Sequence, residues 1–163
     1  MEIREKILVI DDDPQIRSTF KAILSGEGYQ VDVAETGKEA IEKTEKKWYN
    51  LALIDIRLPD INGTQLLTEL KEGSPKMRKI MVTGFPTLPN AVEALNKQAN
   101  AYLTKPVEIP KMLKIIRDQL TLQEEEKTIN EYKIGEFIKT RAKEFSERKK
   151  ADMASIKSKR LRK

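Results

Sequence analysis

The chain contains no cysteine and no histidine. Without cysteine there are no disulfides, thiolate nucleophiles or Cys-type zinc sites, and without histidine there is neither an imidazole base nor a phosphohistidine. Hard oxygen chemistry is what remains: a bound metal would be an oxygen-seeking cation such as Mg²⁺, and a covalently held phosphoryl group must sit on a carboxylate or hydroxyl. Long apolar runs are also missing. The longest are four-residue stretches such as Ile7 to Ile10 and Leu51 to Ile54, against the roughly 18 residues that cross a bilayer, so no membrane-spanning segment is expected. The start, Met1-Glu2-Ile3-Arg4-Glu5-Lys6, carries acidic charge and no apolar core, unlike a secretory signal. A cytoplasmic protein is the expectation.

The remaining composition divides the 163 residues unequally. Up to residue 120 there are 18 basic and 18 acidic side chains; beyond it there are 13 and 8, so the whole formal charge of +5 lies in the tail. All seven prolines and six of the seven glycines precede residue 121, as turns in a folded domain require and a solvated helix does not. One ordinary domain over residues 1–120 is expected, followed by a charged helical and basic tail over 121–163 whose last fifteen or so residues are disordered.

Within the first part, aliphatic runs recur at Lys6–Asp11, Tyr29–Val33, Asn50–Asp55, Lys79–Thr83 and Ala101–Thr104; these predict strands. Amphipathic stretches at Gln15–Ser25, Lys38–Lys47, Thr64–Lys71 and Ala91–Lys97 predict helices between them. Asp13-Pro14 offers an N-cap followed by a proline suited to a first helical turn, and Thr36-Gly37-Lys38-Glu39 has capping-box spacing. Near-continuous apolar strands alternating with helices imply an α/β fold: a parallel sheet covered on both faces, in five β–α units.

Ligands of such sheets bind beyond the carboxyl ends of the strands. Here those ends carry Asp11 and Asp12 after the first strand, Asp55 after the third, Thr83 after the fourth, and Lys105 after the fifth. Taken singly each has a plain explanation: Asp13 and its neighbours as helix caps, Asp55 as a turn former, Lys105 as a solvated lysine. Together they describe a site. Three converging carboxylates repel one another unless a cation is present, and Mg²⁺ accepts one or two carboxylates plus phosphate oxygens. A lysine ammonium and a threonine hydroxyl would complete a cradle for a phosphoryl group, with Asp55 as the natural nucleophile.

The stretches Ile7-Leu-Val-Ile-Asp-Asp-Asp-Pro14, Ala34-Glu-Thr-Gly-Lys-Glu-Ala40, Leu53-Ile-Asp-Ile-Arg-Leu-Pro-Asp-Ile-Asn-Gly63, Met81-Val-Thr-Gly84 and Ala101-Tyr-Leu-Thr-Lys-Pro106 resemble, in this order and spacing, the receiver domain of two-component response regulators. The resemblance covers residues 6 to about 120. It implies a doubly wound, flavodoxin-like sheet of order 2-1-3-4-5 with a helical C-terminal extension. It also implies Asp55 as phosphoacceptor, Asp11 and Asp12 as the acidic pair for Mg²⁺, and Arg57 lending its backbone carbonyl to the metal. Thr83 would be the switch hydroxyl, Lys105 the phosphate-pairing lysine, Tyr102 the aromatic that follows Thr83, and Gly84 the small residue that keeps the site accessible. Lys105-Pro106 resembles a peptide bond often cis in the family. Two departures stand out: Gln98 occupies the place of a helix-ending glycine, and the fourth helix begins among Pro86 and Pro89.

The partners implied are a sensor histidine kinase or phosphotransfer protein, since this chain has no histidine to act as its own donor, and a downstream protein target. In the tail, Ile134, Phe137, Ile138, Arg141 and Phe145 share one helical face, which suits packing on the chain's own domain or on a twin in a homodimer. Its final sixteen residues hold eight basic side chains and one acidic one. A phosphorylation-switched regulator acting by protein contact is the expected function, with a transcription regulator whose basic tail touches nucleic acid as the alternative. A metal-dependent phosphohydrolase is disfavoured because no second general acid accompanies Asp55, so no enzyme is expected.

Overall fold

The computed structural model describes residues 3–84 and 87–162. Strands β1 (Lys6–Ile10), β2 (Gln30–Ala34), β3 (Leu51–Asp55), β4 (Arg78–Thr83) and β5 (Ala101–Thr104) form one sheet in the order β2-β1-β3-β4-β5. Every neighbouring pair runs parallel. Helices α1 (Pro14–Gly26), α2 (Gly37–Lys46), α3 (Gly63–Glu69), α4 (Leu88–Asn96) and α5 (Ile109–Leu161) alternate with the strands. The doubly wound order matches the expected one.

Strands β3 and β4 are buried at every residue, and β1 at every residue after Lys6. That is why their sequences read as unbroken aliphatic runs rather than alternating ones. Successive side chains point to opposite faces, so Leu8, Ile10, Ala52, Ile54 and Met81 join one apolar cluster with Ala40, Leu66 and Ala94. Ile7, Val9, Leu51, Leu53, Ile80 and Val82 join the other, with Phe20 and Leu24 of α1 and Met112 and Ile116 of α5. Complete burial of a side chain such as Leu24 or Ile116 contributes about 2 kcal/mol.

The helix starts follow their caps. Asp13 accepts from the Gln15 and Ile16 amides at 2.8 and 3.5 Å, with Pro14 opening α1. Thr36 Oγ1 accepts from the Glu39 amide at 3.1 Å, while Glu39 reaches back to the Glu35 amide at 2.9 Å, one residue ahead of the usual capping box. α4 begins at Leu88; of the two prolines expected around its start, Pro86 lies outside the described residues, and Pro89 sits in the first turn, where a missing amide hydrogen costs nothing. At its other end the amides of Lys97 and Ala99 donate to Glu93 and Ala94 at 2.9 and 2.8 Å. This closes the helix as a Schellman turn, and Gln98 takes φ = 72°, the left-handed conformation that favours glycine.

The chain divides into two units, Met1–Glu124 and Glu125–Lys163. In the first, α5 buries Met112, Ile116, Leu120 and Gln123. In the second, the backbone is helical as far as Leu161, including the basic end whose charge suggested a disordered arm. Arg148 to Leu161 has no glycine or proline and consists mainly of lysine, arginine, alanine, serine and methionine, most of them good helix formers.

Candidate functional site

The right-hand ends of β1 and β3 in sequence carry the acids, and the sheet order sets these strands side by side. Asp11 and Asp55 are 3% and 6% exposed, whereas Asp12 faces solvent. Carboxylate oxygens of Asp11, Asp12 and Asp55 all lie within 4.8 Å of one another. Lys105, placed after β5, reaches across: its Nζ donates to Asp11 Oδ2 at 2.9 Å and to Asp55 Oδ2 at 3.4 Å. The Lys105–Pro106 peptide is cis, as the sequence suggested.

Backbone groups fix the two buried acids. The amide of Asp13 donates to Asp11 Oδ1 at 2.9 Å, and that of Arg57 to Asp55 Oδ1 at 3.2 Å. Burial raises the pKa of the Asp55 carboxyl above the ordinary value, and the charge of Asp11 raises it further, against the opposing pull of Lys105 and the Arg57 amide. Burial pushes the Lys105 ammonium the other way, but the hydrogen bond and charge of Asp11, with those of Asp55, outweigh it and hold its pKa above the usual lysine value. The donor set is oxygen only, carries three formal negative charges against one lysine, and leaves Asp12 open to solvent. Those features fit a hard divalent cation with water in its remaining positions.

Thr83 ends β4, 1% exposed, and its carbonyl accepts from the Lys105 amide at 2.7 Å. Gly84 lies beside Lys105: a Cβ built there would stand 3.9 Å from Lys105 Cβ, ordinary contact. Tyr102 on β5 is half-buried against the first apolar cluster. Its hydroxyl oxygen is buried without a hydrogen-bond partner among the described residues, and burial raises its pKa. All the residues singled out from the sequence therefore lie at, or within two residues beyond, the carboxyl ends of β1, β3, β4 and β5, apart from Tyr102, which is two pairs before the end of β5, opposite Met81.

Several supporting residues were given no role of their own by the sequence, although Asp60 and Gly63 lie within a stretch that carries the resemblance. Arg17 Nη1 donates to the Asp11 carbonyl at 2.8 Å, tying α1 to the site. Asp60, in the loop after β3, accepts the Gly37 and Lys38 amides at 2.9 Å each and so caps α2 from outside; those two bonds hold its pKa below the usual carboxylate range. Gly63 approaches the end of β3 so closely that a Cβ would meet the Asp55 carbonyl oxygen at 2.2 Å, while its amide donates to the Ile56 carbonyl at 2.8 Å. Only glycine permits that approach.

Known proteins share this pattern. Residues 7–117 match the response regulator receiver domain family. The chain is 38% identical over 118 residues to the transcriptional regulatory protein ZraR of Klebsiella oxytoca, covering 72% of this chain and 25% of that protein. It is 32% identical over 114 residues to the transcriptional regulatory protein YkoG of Bacillus subtilis, covering 70% and 50%. The chain thus spans between a quarter and a half of the length of these relatives. Among solved structures, a CheY-like receiver domain from Methanospirillum hungatei superposes with a TM-score of 0.73 at 45% identity, covering 76% of this chain and 99% of that one. A response regulator from Burkholderia pseudomallei, solved with a phosphorylated aspartic acid and a calcium ion, superposes at 0.66 with 25% identity, covering 77% and 74%. No described helix is long and apolar enough to cross a membrane. Since the matched region takes in the whole sheet apart from Lys6 and every residue of the acidic crevice, the chain belongs to the response regulator receiver domain family.

Proposed function

We propose that Asp55 accepts a phosphoryl group from a phosphohistidine on a partner kinase or phosphotransfer protein, or from a small acyl phosphate, and that the protein signals by the rearrangement this causes. The observation that carries the reading is Lys105 bridging two buried carboxylates, Asp11 and Asp55, at the rim where strands β1 and β3 meet. An Asp55 carboxylate oxygen attacks phosphorus as the donor's P–N or P–O bond breaks, and the electron pair leaves with the donor nitrogen or oxygen. Asp11, Asp12, Asp55 and the Arg57 carbonyl would hold Mg²⁺, which would neutralise the clustered charge and let an anionic donor approach. Lys105 pairs with the new phosphoryl oxygens in place of a carboxylate, and Thr83 donates its hydroxyl to them. Tyr102, whose hydroxyl has no hydrogen-bond partner among the described residues, moves into the space Thr83 vacates, shifting an existing equilibrium of the surface formed by α4 and β5. The Burkholderia relative, with its phosphorylated aspartate and calcium ion, supports the same chemistry here.

Incubation with acetyl phosphate and Mg²⁺ is expected to add one hydroxylamine-labile phosphate per chain, and Asp55→Asn to abolish it. Labelling that persists in Asp55→Asn, or none in the natural chain, overturns the reading. Regulation of transcription is the second reading, favoured by the relatives ZraR and YkoG and by the eight basic residues of the last sixteen. It predicts a mobility shift with duplex DNA at low salt that weakens steeply as salt rises.

A further inference from the structure

The tail unit, Glu125–Lys163, exposes large apolar side chains, among them Ile134 58%, Ile138 60% and Phe145 72%. An isolated helix gains little from such a stripe, so the stripe calls for a partner. Ile134, Ile138, Arg141 and Phe145 recur at spacings of four, three and four, the seam of a two-helix coil. Continued at the same spacing in both directions, that seam takes in only charged residues: Glu131 and Lys127 before it, Arg148 and Asp152 after it.

The order of these residues identifies the occupant. About a centre between Lys139 and Thr140, Ile134 is the mirror of Phe145 and Ile138 of Arg141. Continuing outward, Glu131 mirrors Arg148 and Lys127 mirrors Asp152. Each layer of an antiparallel pair would therefore join apolar to apolar, one charge to its opposite, or Ile138 to the aliphatic stem of Arg141. Arg141 is already placed for this, its guanidinium 5.3 Å from the Phe137 ring centre and paired with Glu144 at 3.4 Å, both flanking the seam. A parallel, in-register pair would set Glu131 on Glu131, Arg148 on Arg148 and Lys127 on Lys127, and like charges in the seam exclude it. Gly135 and Ala142, beside the seam, are small enough for close approach.

We infer that this helix pairs with the same helix of a second copy, antiparallel, in the register that joins Ile134 to Phe145 and Glu131 to Arg148. The inference rests on the tail alone and stands or falls independently of phosphorylation at Asp55. The full chain is expected to show a monomer–dimer equilibrium in sedimentation experiments at micromolar to submillimolar concentration. Glu131→Arg and Arg148→Glu should each weaken dimerisation about tenfold in Kd or more. Combined in one chain they restore opposite charge and should return Kd to within about threefold of the natural value. Because the chain has no cysteine, a single spin label at Ala154→Cys reports orientation directly. Antiparallel pairing puts the two labels roughly 40 Å apart at 1.5 Å per residue, and one at Thr140→Cys under about 20 Å. A chain monomeric throughout, labels at Ala154→Cys close together, or a double variant as weak as the singles overturns the inference. So does a chain that is monomeric until duplex DNA is added, which would assign the helix to nucleic acid instead.

Discussion

Gln123 is a buried polar residue of α5, lying between Leu120 and the charged run Glu124-Glu125-Glu126. It is 2% exposed. Its Nε2 donates to the Asn50 and Lys76 carbonyls, each at 2.8 Å, and its Oε1 accepts from Asn50 Nδ2 at 3.1 Å. Asn50 in turn accepts the Lys6 amide on its side chain at 2.8 Å, so one glutamine joins α5 to the starts of β1, β3 and β4. Replacing it with leucine removes three buried bonds, at about 1 kcal/mol each. The Asn50 carbonyl keeps the Arg78 amide at 2.9 Å, and the leucine returns some apolar burial, which brings the expected loss to about 2 kcal/mol. For a domain of this size that lowers Tm by roughly 6–10 °C. Urea denaturation followed by fluorescence of Trp48, the sole tryptophan, isolates the receiver from the tail helix, which circular dichroism would not. Gln119→Leu is the control: its side chain makes one long bond, 3.4 Å to the Asn100 carbonyl, and should change stability by less than about 0.5 kcal/mol. Equal effects of the two substitutions would refute the account of Gln123.

Other outcomes follow from the geometry already described. Because the folded-state pKa of Asp55 is raised, the folded chain holds more protons than the unfolded one just above the ordinary carboxylate value, so stability without divalent cations falls as pH rises through that window. Asp55→Asn should flatten this slope and raise Tm at neutral pH in EDTA; an unchanged Tm–pH curve counts against the raised pKa. Gln98→Gly relieves a left-handed side-chain residue and should stabilise by about 1 kcal/mol in urea, whereas a loss would mean the Gln98 side chain makes contacts that matter more. Gly63→Ala forces a methyl group onto the Asp55 carbonyl and should cost about 3 kcal/mol in the same assay; a loss under 1 kcal/mol would show that the loop yields easily.

How much of this was legible depends on whether the cause is local. The strands β1, β3 and β4 announce themselves because burial on both faces leaves only aliphatic runs, and Asp13, Pro14 and Thr36 announce helix starts because caps act within three residues. The strand ends were readable for the same reason: an acid directly after an aliphatic run is at the sheet rim wherever the sheet lies. Gln123 was not, since its partners Asn50 and Lys76 are 73 and 47 residues away and nothing in its own neighbourhood distinguishes it from the charged helix around it. Asp60 likewise caps a helix that begins 23 residues earlier. The missing glycine at Gln98 was visible, but its left-handed φ depends on the chain turning there from α4 into β5. At the C-terminal end, charge pointed toward disorder and helix propensity toward continued helix, and composition alone did not rank them.

The loop between β3 and α3 is fastened at several points. Asp60 holds the first amides of α2, Ile61 packs so tightly over Gly37 that a Cβ there would meet its Cγ2 at 2.1 Å, and Arg57 bridges to Asn62. That flank of the crevice behaves as an anvil: it is braced against two helices and has little freedom to recoil when bulk and charge are added at Asp55. If Asp55 is phosphorylated as proposed, the mechanical output would thereby be steered to the opposite flank, through Thr83 toward β5. On that proposal, a substitution that loosens the anvil, such as Asp60→Ala, would dissipate the signal without removing a single group from the proposed chemistry.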